Sequence, residues 1–132
     1  MGYNETVLEH FRNPRNVGKL EHPDAVGTGG NARCGDLMTL YLQIGADGRI
    51  TEARFNAYGC GAAIAAGSMT TELLRGKSLE EARSLTNEAV VEALGGLPQG
   101  KLECSVLAEQ ALQAALEQYE RGTGEWRRIP RK

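Results

Sequence analysis

The stretch "LMTLYLQIGADGRITEARFNAYG", Leu37 to Gly59, decides the fold. In its first half Met38, Leu40, Leu42 and Ile44 alternate with Thr39, Tyr41 and Gln43. A period of two is that of a strand with one buried face. "GADGR" then carries an Asp-Gly turn signal, and "ITEARFNAYG" reads as the returning strand. The whole predicts an antiparallel hairpin.

Upstream, residues 3–12 predict a short helix. Asn4 is a plausible N-cap, and Val7, Leu8 and Phe11 fall on one face. "NPRNVG", Asn13 to Gly18, stops it, because Pro14 disfavours helix in the residue before it. Residues 19–33 carry Pro23, Gly27, Gly29 and Gly30. They read as a loop with a short edge strand near "DAVG". His10 and His22 both fall in this N-terminal region and read as surface residues.

Downstream, "GAAIAAGSMTTELLR", Gly61 to Arg75, is rich in small residues. Ile64, Ser68, Thr71 and Leu74 recur at helical spacing, and the alanines allow close packing. A buried helix ending at Gly76 is expected. "SLEEARSL" opens with a capping-box pattern, Ser78 and Glu81. "TNEAVVEALGGL" predicts another short helix ending at Gly95, and "LPQGK" a loop. From about Cys104 to Arg121 a last helix places Leu107, Ala111, Leu112, Ala115, Leu116 and Tyr119 on one face, with Gly122 to end it. Helix, sheet, then helices: the pattern is that of an α+β fold, with one domain over 1–132 and residues 123–132 as a flexible basic tail.

A chain of 132 residues is long enough to bury a core. Its formal net charge of -2 sets up no field that would draw nucleic acid or an anionic membrane. The tail "RRIPRK" is the exception, either a solvated tail or a handle for an acidic partner. "MGYNETVLEHF" lacks the basic and apolar regions of a signal peptide. No apolar run approaches the ~20 residues of a membrane span. The expected location is therefore the cytoplasm. There, three cysteines are free thiols or metal ligands rather than cross-links.

Each cysteine has a setting suited to reactivity. Cys34, in "NARCGD", precedes Gly35 and Asp36, and the Asp36 carboxylate is near enough in sequence to share its site. Cys60, in "YGCGAA", lies between glycines at the start of the buried helix. Cys104 opens the last helix, just after Glu103. A helix N-terminus stabilises a thiolate. Three soft ligands and one hard one would suit iron–sulfur or zinc chemistry, where four ligands are the norm. The competing reading is three inert, small apolar side chains. No C-x-x-C pair is present, so the simple zinc-finger and thiol-oxidoreductase signatures are missing.

The segments "NPRNVG", "CGD" at Cys34–Asp36, "YGCGAAIAAGS" around Cys60 and "CSVLAEQAL" from Cys104 together resemble the IscU/NifU family of iron–sulfur cluster scaffolds. The similarity runs in order from about residue 3 to 121. It implies a SufE/NifU-like fold, a small, mostly antiparallel three-stranded sheet covered by helices. It also implies a carrier rather than a turnover enzyme. Such a scaffold takes sulfur as persulfide from a cysteine desulfurase and iron from an iron donor. It builds a labile 2Fe–2S cluster, in some members a 4Fe–4S cluster, and passes it to apo iron–sulfur proteins. Zinc or iron would fill the cluster-free site.

By the same resemblance Cys34, Cys60 and Cys104 are cluster ligands, Cys104 is the persulfide acceptor, and Asp36 is the carboxylate ligand that eases release. A hard oxygen matches a cluster less well than thiolate does. Two segments depart from the family. Glu103 stands where histidine is usual; it is either an additional oxygen ligand or a solvated carboxylate at a helix start. "LPQGK", Leu97 to Lys101, differs at Gln99 and Gly100 from the loop that the family's heat-shock chaperone recognises, which puts that partner in question. The 44 positions from Cys60 to Cys104 leave no room for the insertion of zinc-bearing SufU-type relatives. No cysteine-rich domain follows, so a stand-alone scaffold is expected. A homo-oligomer sharing one cluster would change the ligand count per chain. Two other functions use the same residues: a zinc-bearing sulfur-transfer protein, and a structural zinc domain that binds a protein partner.

Overall fold

The computed structural model of the chain describes residues 4–31, 36–59, 61–97 and 102–124. Of these, 31, 36, 102–104 and 122–124 are described by their backbone alone. The elements are α1 (Glu5–Arg12), β1 (Ala25–Asn31), β2 (Asp36–Ile44), β3 (Ile50–Tyr58), α2 (Gly61–Leu74), α3 (Leu79–Arg83), α4 (Asn87–Ala93) and α5 (Leu102–Gly124).

The hairpin forms as its alternation predicts. Met38, Leu40 and Leu42 are fully buried and Ile44 nearly so, each facing helices. Leu40 pairs with Phe55 and Leu42 with Ala53 in antiparallel register. At the turn Gly48 adopts φ +81°, and its N–H donates to the Gly45 carbonyl at 3.0 Å. A left-handed φ costs a side chain but not glycine, which is why the Asp-Gly pair closes this hairpin.

The sheet has a third strand where only a short edge segment near "DAVG" is expected. Seven residues, Ala25–Asn31, pair antiparallel with β2, giving the order β1-β2-β3. "AVGTGGN" lacks the branched and aromatic side chains that mark strands. Its glycines are there because α5 lies almost directly on the strand backbone. A Cβ built on Gly27 would stand 2.2 Å from the Ala111 carbonyl oxygen, and one on Gly29 2.5 Å from that of Leu107.

The helices α2 and α5 cover the same sheet face. Helix α2 is buried nearly all round, including Ala62, Ala63, Ala65, Ala66, Ser68, Thr70 and Thr71. It ends before Gly76, at φ +88°. Helix α5 presents Leu107, Ala111, Leu112, Ala115 and Leu116 to the core, with Tyr119 half-buried. It does not stop at Gly122 but continues to Gly124. An internal glycine costs a helix only about 1 kcal/mol, and a helix already docked over several turns can absorb that. Residues 125–132, with most of the expected basic tail, lie outside the described residues. The capping box of α3 forms in full: Glu81 N–H donates to Ser78 Oγ, and Ser78 N–H to Glu81 Oε1.

Helix α1 starts at its N-cap, with Val7 N–H donating to Asn4 Oδ1 at 2.9 Å. Its inner face differs from the expected one. Val7 and His10 are buried, while Phe11 is 42% exposed. Val7 joins Ala65, Ala66, Met69, Val90 and Leu94 in a second cluster beside the main core. His10 is therefore not a surface residue. Burial is possible because Ser68 of α2 meets its ring at 2.7 Å. His22 is exposed, as expected.

Candidate functional site

Strand register determines which of the candidate residues meet. Asp36 is the first residue of β2, and its backbone pairs with Asn31, the last residue of β1. The next residue, Leu37, pairs with Tyr58, the last residue of β3. Gly59 follows at φ +147°, and α2 begins at Gly61. One end of the sheet thus gathers the end of β1, the start of β2 and the junction of β3 with α2. Residues 32–35, including Cys34, connect β1 to β2, and Cys60 falls in the β3–α2 junction. Both cysteines lie outside the described residues.

Helix α5 brings its first turn to the same end. Going up β1 from Gly27 to Gly29 moves the contact on α5 down from Ala111 and Ala115 to Leu107 and Ala111. Two strand residues span about 6.8 Å and four helical residues about 6 Å, so strand and helix run antiparallel and in step. The same direction of travel leads from Gly29 toward Asn31 on the strand and from Leu107 toward the first turn of α5 on the helix. Cys104 is the third residue of α5 and Glu103 the second. Beside them Ser105 is fully buried, and Asn87 at the start of α4 donates its Nδ2 to the Ser105 oxygen at 3.4 Å. The start of α5, with Glu103 and Cys104, thus runs toward the end of the sheet where β2 begins at Asp36.

Two further features border this end. The Phe11 ring lies 3.1 Å from where a Cβ of Gly61 would be, so α1 packs over the first residue of α2. Leu37 and Tyr58, paired across β2 and β3, point away from the helices and are 41% and 75% exposed. On the opposite flank, Asn4 Nδ2 donates to the Gly96 carbonyl at 3.2 Å, tying α1 to the turn after α4. Leu97 packs against both apolar clusters. Residues 98–101, the rest of the "LPQGK" loop, lie outside the described residues. Among the described residues no group of three or more His, Cys, Asp or Glu side chains gathers to hold a metal ion. Among them, too, no helix is long and apolar enough to cross a membrane.

The sequence reading overlooked the part that Gly27 and Gly29 play in seating α5. The available signal was their i, i+2 spacing, which puts two glycines on one strand face, a mark of close backbone approach.

Comparison with known proteins agrees with this architecture. The NifU-like N-terminal domain family matches residues 2–125. The iron–sulfur cluster assembly scaffold protein IscU 1 of Archaeoglobus fulgidus is 53% identical over 122 residues, which cover 92% of this chain and 79% of the relative. The corresponding IscU of Azotobacter vinelandii is 46% identical over 127 residues, 94% of this chain and 98% of the relative. Among solved structures, the N-terminal part of a NifU-like protein from Brucella abortus superposes with a TM-score of 0.74 at 23% identity. That superposition covers 89% of this chain and 94% of the other, and establishes a shared fold.

Proposed function

The chain belongs to the family of NifU-like N-terminal domains, and from that premise we propose that it is a scaffold on which an iron–sulfur cluster is assembled for transfer to apo-proteins. It is a carrier and not an enzyme. One observation carries the reading furthest. The end of the sheet that starts at Asp36 is also the end where the Cys104 turn of α5 begins, and the chain segments holding Cys34 and Cys60 both connect elements at that end.

In this reading Cys34, Cys60 and Cys104 supply thiolates and Asp36 a carboxylate oxygen to the cluster, which is cargo. Four such donors suit a 2Fe–2S cluster, and the empty site would take zinc or iron. Cys104 receives sulfur. Its thiolate attacks the outer sulfur of a desulfurase cysteine persulfide; the donor's S–S bond breaks, and the donor cysteine leaves as thiolate. The transfer is redox-neutral. Each sulfane sulfur then needs two electrons from an external reductant to become sulfide. Glu103, at the second position of α5, is favoured there by the helix dipole. It adds a negative charge where a histidine would be neutral or positive. The partners are a cysteine desulfurase, an iron donor and apo iron–sulfur proteins, in the cytoplasm, where thiols stay reduced.

The test is anaerobic incubation with ferrous iron, cysteine and a desulfurase, followed by absorption and Mössbauer spectroscopy. A 2Fe–2S signature in the wild type, lost in Cys34→Ala, Cys60→Ala and Cys104→Ala, is the expected result. A full-strength cluster in any one variant removes that cysteine from the ligand set. Desulfurase stimulation by a zinc-bearing protein that never holds a cluster would favour the sulfur-transfer reading instead.

A further inference from the structure

We infer that Gly29 is a positioning residue for the cluster site: its missing side chain fixes the height at which the Cys104 turn of α5 sits over the end of β1. The inference rests on the scaffold reading for what the site holds. It rests on the α5–β1 contact for how the site is set.

A Cβ on Gly29 would lie 2.5 Å from the Leu107 carbonyl oxygen, 2.9 Å from Gln110 Cβ and 3.0 Å from the Ala111 nitrogen. Two of these three atoms are helix backbone, which no rotamer change can move aside. A single methyl must therefore lift the helix by about 1 Å to reach ordinary contact distance. Leu107 is one turn beyond Cys104, and Gly29 is two residues before Asn31, the register partner of Asp36. The contact at Gly29 falls on Leu107, one turn of α5 from Cys104. A displacement there passes to the ligand-bearing turn with almost nothing between to absorb it.

A Cβ on Gly27 would lie 2.2 Å from both the Ala111 oxygen and the Ala115 nitrogen, but these are about two and three turns from Cys104. Metal–ligand distances tolerate about 0.2 Å, and a site loosened by about 1 Å loses function. The α5–β1 contact is thus more than core packing. It sets the spacing between a ligand on the helix and ligands on the sheet.

The probe is cobalt(II), titrated anaerobically into reduced, metal-free protein with a stabilising osmolyte present to hold weakened variants folded. Thiolate-to-cobalt absorption reports binding, and the d–d bands report geometry. Circular dichroism and urea midpoints report the fold. Gly29→Ala should bind cobalt at least about tenfold more weakly, the size of effect seen when ligand-orienting partners are lost, with shifted d–d bands. The control is Leu74→Ala, at the far end of α2, where the residue is fully buried. It should lose stability yet bind cobalt as the wild type does. Equal binding and equal bands in Gly29→Ala and wild type overturn the inference, as does an equal loss in Leu74→Ala. Should Gly29→Ala fail to fold, Gly27→Ala decides: weaker binding than Leu74→Ala supports the inference, and equal binding overturns it. A wild type without thiolate-to-cobalt absorption would instead defeat the reading of the site itself.

Discussion

His10 Nδ1 and Ser68 Oγ, 58 residues apart in the chain, lie 2.7 Å from each other in the packed seam between α1 and α2. The same Ser68 oxygen accepts the Arg15 N–H at 2.9 Å. A hydroxyl that accepts from a backbone amide keeps its own hydrogen and a second lone pair, so Ser68 satisfies Nδ1 in either neutral tautomer of the ring. Glu72 Oε1 is 3.9 Å from Nε2, too far for a hydrogen bond.

The surroundings of the ring favour its neutral form. Burial holds the His10 pKa below 6.5, helped by the Arg15 charge and opposed by Glu72 and Glu9. A histidine depressed in the folded state binds its proton more readily when unfolded, so acid favours unfolding. The stability it contributes is complete above about pH 6.5. It is lost as the pH falls from there through the lower folded value. The unfolding free energy from urea titrations should drop on going from pH 7.5 to 5.5, by no more than about 1.4 kcal/mol per pH unit for one proton. His10→Gln should flatten that part of the profile. An unchanged slope in the variant would show that another group is responsible.

Asn16 sits at φ +63°, a left-handed conformation, held by its own side chain. Its Nδ2 donates to Thr71 Oγ1 at 3.0 Å, and its Oδ1 accepts from Arg75 Nη1 at 3.1 Å. Its carbonyl accepts the Phe55 N–H, and Gly18 N–H donates to the Phe55 carbonyl. Residues 16–18 thereby cover the open edge of β3. Asn16→Ala loses both side-chain bonds and keeps the strained backbone. We expect about 2–3 kcal/mol of destabilisation. Asn16→Gly loses the same bonds but relieves the strain, and should cost about 1 kcal/mol less. Chemical denaturation of the two variants checks the order; a glycine variant no better than alanine would rule out backbone strain at this position.

Gly67 sets helix propensity against packing. Alanine would raise the intrinsic helicity of α2 by about 1 kcal/mol. A Cβ there, however, would stand 2.5 Å from both Cδ2 and Cε2 of Phe55, a ring only 1% exposed. The ring has no free space to swing into, and overpacking of this kind costs about 1–3 kcal/mol. Packing therefore wins, and Gly67→Ala should lower the melting temperature. A thermal unfolding curve shifted upward would mean that the ring yields more easily than its burial suggests.

Much of the fold was legible because it depends on short-range chemistry. Met38, Leu40, Leu42 and Ile44 alternate, and they are buried; Ser78 and Glu81 have capping-box spacing, and the box forms. The misreadings come from long-range contacts. Ala25–Asn31 reads as a loop with only a short edge strand near "DAVG" because its glycines answer to α5, more than 75 residues away in the chain. His10 looked exposed because its partner, Ser68, lies on another helix. Gly122 looked like a stop because a propensity cost was set against no packing gain. For the site, the residue types and their order could be read directly. Their meeting at one sheet end depends on the Asn31–Asp36 and Leu37–Tyr58 pairings and on α5 lying over β1, a contact between segments more than 75 residues apart that no local pattern encodes.

Asp36 tests the chemistry of release. Its backbone opens β2 at the end where the proposed ligands converge. A carboxylate oxygen is a hard donor in a set of soft thiolates, and the iron it holds is bound less firmly than one held by sulfur alone. In the proposed site, that would make the Asp36 position the exit point for the cluster. In Asp36→Ala the thiolates remain and the hard donor is gone, so the assembled cluster should persist longer. We expect about a tenfold increase in half-life, at the lower end of the changes seen on altering a metal site's supporting groups. The measurement is the decay of visible absorption under anaerobic dilution, with and without an apo-protein acceptor. Slower transfer together with slower loss is the expected pair. Faster loss from Asp36→Ala would mean that the carboxylate retains the cluster, and the site would then have to release its cargo through one of the thiolates.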